Sequence, residues 1–328
     1  MSPVSGPGLV RPPAPAAHVS VPRIGGFGLL TGWGDGLRAL ETATPEPGAG
    51  LVAVPTPILV GERFRRATRE CLLAVSAVRA ALADAGLEEG VLAGERTGIL
   101  YVSATGYAAA NRAFLEDEGA ATLHFPYTAP SAVPGEVTIE FGIRGPYVNL
   151  MGGGTAALQG LWYAATWLAE GVADRVLLLA VEAVHEVRDL FLRARRLYRG
   201  PLVEGAACLY LERGPAGEGD ALAWASATAG GPRLVAAVER VLEAVLGDAV
   251  PQHVSSGVTC GGPGRVERQV LGRRGVVART AGGTRLGEAL ACGPLIVLAD
   301  AHARGVEGPW LVTAAWRNDY GALLWPRS

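Results

Sequence analysis

The chain has 328 residues, 49% of them apolar, enough for a sizeable core in one large domain or two fused halves. Its formal net charge of −2 gives no global pull toward nucleic acid or an anionic membrane surface. Every basic side chain is arginine, which excludes lysine Schiff-base and lysine general-base chemistry. The four cysteines, Cys71, Cys208, Cys260 and Cys292, are isolated, with neither a C-x-x-C pair nor ligand spacing. That argues against a disulfide scaffold and a zinc site, so no metal or cofactor is expected and a reducing cytoplasm is the natural home. The first twenty residues hold no continuous apolar run, so no secretory signal is expected. No uncharged stretch of about 18 apolar residues points to a membrane span.

Residues 1–20, rich in proline and alanine, are expected to form a flexible tail. Residues 21–31 predict a strand running into a loop, and the prolines and glycines of 38–61 predict a loop. Over 63–85 the positions Cys71, Leu72, Val75, Val78, Ala81 and Leu82 recur at helical spacing, and Gly86 marks the end. Residues 97–102 and 147–150 predict strands. Gly152-Gly153-Gly154 predicts a tight turn, followed by a helix from Thr155 through the Ala169-Glu170-Gly171 end. Residues 175–181 are apolar after Arg175, as expected of a strand buried on both faces, and 206–211 predict another strand. Beyond Gly214 the expectations are a strand at 222–225, a helix at 234–246 and a strand at 252–256 ending in a Gly-rich loop. A long helix at 286–303, broken or kinked by Gly293-Pro294, and a hairpin of 310–316 with 322–325 complete the chain. Alternating strands and helices predict α/β layers. The two halves are too dissimilar for the sequence to show a duplication.

Phe141-Gly142-Ile143-Arg144-Gly145-Pro146, followed by strand, turn and helix, resembles the β-ketoacyl synthase family. Other stretches fall in the same order. Residues 24–31 resemble the opening strand and loop, 65–86 the first long helix, and 126–134 the loop before the FG segment. Residues 169–174 resemble the turn after the buried helix, Glu204-Gly205-Ala206-Ala207 a strand entry, and Asn318-Asp319-Tyr320-Gly321 the closing hairpin. The resemblance implies a thiolase-like α/β fold of two α/β halves packed in five layers, αβαβα. A ketosynthase-like N-terminal half would span 21–213 and a shortened C-terminal half 214–328.

Ketosynthase chemistry uses a cysteine at the N-terminus of the buried helix, two histidines, and a lysine supporting the second. Carried onto this chain, the cysteine position falls on Gly154, the first histidine on Ser256, and the second on Gly283, with Arg279 near the lysine. All three positions are therefore vacated and no catalytic residue is assigned, since groups that act as a unit lose most of the rate together. Cys260, close after Ser256, is the candidate substitute nucleophile. Cys71, Cys208 and Cys292 read as core residues. Glu182 and Glu186 follow a strand end, where a solvated or interface role is expected. Gly152-Gly153-Gly154-Thr155 lacks the spacing and lysine of a P-loop, and Gly26-Phe27-Gly28 has Thr31 where a dinucleotide fingerprint needs its third glycine.

Three functions follow from the resemblance. One is a chain-length-factor-like partner that forms a heterodimer with an active ketosynthase through the 126–150 region and serves an acyl carrier protein, a homodimer being the alternative. Another is an acyltransferase, or 3-oxoacyl-carrier-protein synthase-like enzyme, using Cys260 or Ser256. The third is an acyl-thioester binding module, for which Gly154 in place of cysteine would leave room. Neither nucleic acid nor membrane is an expected partner.

Overall fold

The computed structural model describes residues 20–44, 50–116, 125–193, 200–214, 221–259, 261–276, 287–306 and 308–326. The first half runs β1 (Arg23–Thr31), β2 (Gly34–Asp35), α1 (Gly36–Thr42), β3 (Leu51–Val52), α2 (Arg69–Asp84), β4 (Thr97–Ser103), α3 (Ala108–Glu116) and α4 (Ala132–Phe141). It continues with β5 (Tyr147–Met151), α5 (Gly154–Ala169), β6 (Arg175–Glu182), α6 (Arg188–Arg193), β7 (Leu202–Val203) and β8 (Gly205–Glu212). The second half contributes β9 (Ala223–Thr228), α7 (Leu234–Leu246), β10 (His253–Ser256), α8 (Gly261–Arg273), α9 (Cys292–Ala303), β11 (Trp310–Trp316) and β12 (Asp319–Trp325).

The described strands form a six-stranded sheet in the order β2-β1-β8-β6-β4-β5 and a four-stranded sheet in the order β10-β11-β12-β9. In the first, β1 and β6 flank β8 antiparallel, and β6, β4 and β5 are parallel. In the second, β9 and β11 flank β12 antiparallel, and β11 and β10 are parallel. The quartet β1, β8, β6, β4 thus repeats as β9, β12, β11, β10, a duplication of topology that the sequence halves do not reveal. Helices α5 and α9 occupy equivalent places, each preceding the strand (β6 or β11) that pairs with the antiparallel one. Both lie between the sheets and touch each, while α2 covers the outer face of the first sheet and α7 and α8 that of the second. These are the five layers that the resemblance implied.

The uncharged strands are explained by this layering. Leu100 and Val102 of β4, Val176, Leu178 and Ala180 of β6, and Leu209 and Leu211 of β8 join the central core. Their alternates, Ile99, Tyr101, Leu177, Leu179, Cys208 and Tyr210, join a second core under α2. Because successive side chains point to opposite faces, a strand covered on both sides has no position left for a solvated residue. Helix α2 ends in a Schellman arrangement, with Gly86 at φ +67°, its N–H donating to Ala83 and that of Leu87 to Leu82. Gly26 and Gly28 let α2 approach β1: a Cβ at Gly26 would lie 2.6 Å from the Ala81 carbonyl oxygen.

Several expectations are corrected. The 38–61 region contains α1 and β3. Helix α2 begins only at Arg69, after a 3₁₀ turn at Glu62–Arg66. The stretch compared with a loop at 126–134 includes the start of α4, with Pro134 in its first turn, where a missing N–H costs nothing. The glycines from Gly261 open helix α8. The helix expected over 286–303 begins at Cys292, and Pro294 is its third residue rather than a break. Ahead of it, Glu288 pairs in parallel with Leu202 of β7, whose partner is β3.

One buried ion pair ties these layers together. The Glu204 carboxylate accepts from Arg69 on α2 (2.9 and 2.5 Å), from Val54 N–H (2.9 Å), and from Val184 and His185 N–H (2.6 Å each). Burial opposes its ionisation, but Arg69 and the two amides outweigh it and hold the carboxyl below its ordinary range. Its stabilisation is therefore present above the unfolded value of 4.5 and is lost as pH falls through the lower folded value. Glu204→Ala leaves Arg69 only the longer contact with Glu186 and the Val54 carbonyl and strands three amides, and is expected to cost about 3–5 kcal/mol, measured by urea unfolding at neutral pH. A loss below about 1 kcal/mol, the level of an exposed pair, would show that the pair does not hold these layers.

Candidate functional site

Strand β5 delivers the chain to Gly152-Gly153-Gly154, and α5 starts at Gly154 with Gly153 as N-cap. This terminus points at β11 and the first turn of α9. A Cβ at Gly154 would lie 3.0 Å from Ala314 Cβ and 3.1 Å from Pro294 Cγ. At Gly153 it would lie 2.6–2.8 Å from three ring atoms of Trp316. Gly257 faces the same proline, 3.8 Å from its Cγ, and the Thr313 carbonyl oxygen at 3.2 Å. The structure thus brings Gly154 and Gly257, the residue after Ser256, together around Pro294 and the end of β11. The third vacated position, Gly283, and the candidate nucleophile Cys260 lie outside the described residues, as do Arg279, His18 and His124.

The room expected at Gly154 is absent. The indole of Trp316 covers Gly153, and Ala314 and Pro294 lie tightly against the place of the first side-chain atom at Gly154. Trp316 belongs to a small buried cluster with Val184, Leu202 and Leu290, against which Leu51, Ala104 and Phe191 pack. Interiors are close-packed, so a side chain at Gly154 would need Ala314 and Pro294 to give by a few tenths of an ångström.

Ser256 is equally committed. It is 2% exposed, and its hydroxyl donates to Glu267 Oε2 at 2.8 Å, while Tyr320 O–H donates to Glu267 Oε1 at 3.0 Å. Its Oγ also accepts from Val258 N–H at 3.3 Å. A hydroxyl in this closed network satisfies a buried carboxylate instead of facing a substrate. Cys71, Cys208 and Cys292 are buried free thiols, as expected. Burial pushes Cys71 up to about 12 and the other two higher still, which leaves no thiolate near neutrality. His253 lies in β10, as its position suggested.

Glu182 corrects the reading of a solvated or interface carboxylate: it is 0% exposed. Its Oε1 accepts from Ala104 N–H (2.7 Å) and Ala291 N–H (3.0 Å), and its Oε2 from Thr105 N–H (3.0 Å), Thr105 Oγ1 (2.8 Å) and Ser103 Oγ (3.4 Å). Burial pushes it up to about 7 despite these donors. Glu186 does reach the surface, 3.4 Å from Arg69. Sequence reasoning read Pro294 only as a helix breaker and did not single out Trp316 or Glu288 as site residues. The signal available for Glu182 was its place at the end of an otherwise apolar, doubly buried strand. Among the described residues no cluster of three or more histidine, cysteine or acidic side chains is arranged to hold a metal ion. No helix among them is long and apolar enough to cross a membrane.

Comparison with known proteins fits this architecture. The family described as β-ketoacyl synthase, N-terminal domain, matches residues 59–197. A Streptomyces violaceoruber protein named for the granaticin polyketide β-ketoacyl synthase 1 is 33% identical over 124 residues, which span 34% of this chain and 30% of that protein. Among solved structures, a type II polyketide ketosynthase bound to a hexaketide, in complex with its acyl carrier protein, aligns over 94% of this chain and 99% of its own at TM-score 0.75 and 16% identity. The ishigamide ketosynthase/chain length factor aligns over 94% and 100% at TM-score 0.72 and 19% identity. A β-ketoacyl synthase from Burkholderia phymatum gives 0.73 and 17%, over 94% and 100%. At such identities the solved structures establish the thiolase-like fold. Over residues 59–197 the chain is similar to the N-terminal domain of β-ketoacyl synthases, and the whole chain has the thiolase-like fold.

Gly154→Ala is expected to destabilise the protein by about 1–3 kcal/mol through overpacking, read as a lower urea midpoint. Gly154→Cys should also remain unmodified when incubated with acyl thioesters and examined by intact mass. An acylated Gly154→Cys protein of wild-type stability would mean that the space at α5 is open after all.

Proposed function

We propose that this chain is a non-condensing, chain-length-factor-like subunit. It completes a heterodimer with an active ketosynthase and serves acyl groups carried by an acyl carrier protein, in a cytoplasmic polyketide or fatty-acid type of synthesis. The observation that carries this reading is the filled nucleophile position. A protein that merely lost its cysteine would keep open space at Gly154, whereas here Ala314 and Pro294 crowd it at 3.0–3.1 Å and Trp316 covers the neighbouring Gly153. The family scaffold around it is intact, which favours a role in contacts over a role in bond making.

The surface supports a partner. Strand β5 is the outer strand of the six-stranded sheet, and Tyr147 and Met151 on it are 52% and 49% exposed. Phe125 and Ile139, from the two segments just before it, are 63% and 70% exposed. An uncovered outer strand with large apolar side chains invites pairing with another chain. Tyr147 and Met151 fall within or beside the 126–150 region to which the family resemblance assigns the dimer contact.

Co-expression with a ketosynthase encoded beside it is expected to yield a stable heterodimer by size-exclusion chromatography. Tyr147→Asp or Met151→Asp should weaken that complex by about 10–30-fold, the scale of an interface hot spot. A chain that purifies only as a homodimer, indifferent to the ketosynthase, would overturn the reading. So would an acyl adduct that forms on the wild-type chain and disappears in Cys260→Ala, since that would make it an acyltransferase.

A further inference from the structure

Two buried carboxyls meet at the start of α9. Glu182, at the end of β6, accepts from Ala291 N–H at 3.0 Å, and Glu288 Oε1 accepts from the preceding amide, Leu290 N–H, at 2.7 Å. Both are fully or nearly fully buried, at 0% and 4% exposed. Consecutive amides therefore point into one acidic site, and Leu290 between them has φ +52°, a left-handed conformation that a leucine adopts only under constraint. Glu288 Oε2 is hydrogen-bonded to Thr259 Oγ1, from the segment that follows β10. The pair thus joins the strand ends of both sheets to the residues that lead into the central helix.

The other titratable groups on this site are neutral near pH 7. Tyr101 of β4 and Cys292 of α9 both feel the Glu182 charge, and burial raises both. Among the described residues, no arginine or histidine forms a hydrogen bond or ion pair with Glu182 or Glu288. That distinguishes the pair from Glu204, which has Arg69. Two buried carboxylates on consecutive amides with no cation between them repel when both are ionised, and the Glu182 charge raises Glu288, so the site favours one proton on the pair. Glu182, with five donors, is the better solvated anion. Glu288, with Leu290 N–H and a threonine hydroxyl that accepts as well as donates, is the better acid.

We propose that Glu182 and Glu288 share one proton and act as a latch that holds residues 287–291, and with them the closed site at Gly154, in place. Release follows loss of that proton. Leu290 then leaves the Trp316 cluster, and Pro294, four residues further on, is freed from Gly154. Burial raises both carboxyls, Glu182 to about 7 and Glu288 to about 8, the latter also through the charge on Glu182. Folded values above the ordinary 4.5 mean that the folded state binds more protons than the unfolded one. Stability therefore falls as pH rises from about 4.5 to about 8 and levels off above.

Hydrogen exchange of the full chain, resolved by mass spectrometry and corrected for intrinsic rates, tests this between pH 6.5 and 9.5. In the wild type, protection of the amides of Leu290 and Ala291 should fall about tenfold between pH 7 and pH 9, the population change that one pKa unit represents. The strands of the first sheet should keep theirs. Glu288→Gln keeps an acceptor for Leu290 N–H and should flatten the profile to within about twofold. Glu182→Gln should do the same and stands in if the first variant does not fold. A wild-type profile without the loss, a loss spread evenly over the whole chain, or a folded Gln variant that keeps the wild-type pH dependence would each overturn the latch.

Discussion

The N-terminus of α5 meets β11 and α9 with no space between them. Trp316 lies on the backbone of Gly153, and Ala314 and Pro294 lie where a side chain at Gly154 would begin. Both sheets share α5 and α9 as a common middle layer, so a larger residue at this point would push apart the layers that the whole chain is built on. Here it is a packing contact, with the nearest atoms of Ala314 and Pro294 at 3.0–3.1 Å from a Cβ at Gly154.

Buried acids surround that contact, each satisfied in its own way. Glu204 is ionised against Arg69 and three amides. Glu267 accepts from Ser256 and Tyr320. Glu182 and Glu288 have amides and hydroxyls but no cation among the described residues, which makes them the polar groups of the site most sensitive to proton concentration. A buried carboxylate without its donors would cost several kcal/mol, so these networks constrain the loops at the strand ends as firmly as apolar packing constrains the helices.

Much of the fold is legible in the residues themselves. Strands buried on both faces show as uncharged runs, as at Val176–Val181 within β6, and α7 shows as a helical repeat of apolar positions whose bounds match those expected. The errors fall where local signals compete with tertiary ones. Pro294 looks like a helix breaker in sequence, yet a first turn has no use for its missing N–H. The glycines at 261–264 look like a loop, yet α8 packs along α7. Glu182 looks like a surface acid because carboxylates usually are, and only the convergence of Ala104, Thr105 and Ala291 makes its burial affordable.

The sequence by itself determined the order of most elements and the thiolase-like fold, because periodicity, turn chemistry and motif order are properties of neighbours along the chain. It pointed to Gly154 and Ser256 as positions of interest but said nothing of what surrounds them. Only the tertiary structure decided that Gly154 is tightly packed, that Ser256 is bound to Glu267, and that Glu182 and Glu288 accept from the consecutive amides of Ala291 and Leu290. The contacts at Gly154 and Glu182 depend on residues more than a hundred positions apart, brought together when two sheets close over a shared pair of helices, and no pattern within either segment encodes the distance between them.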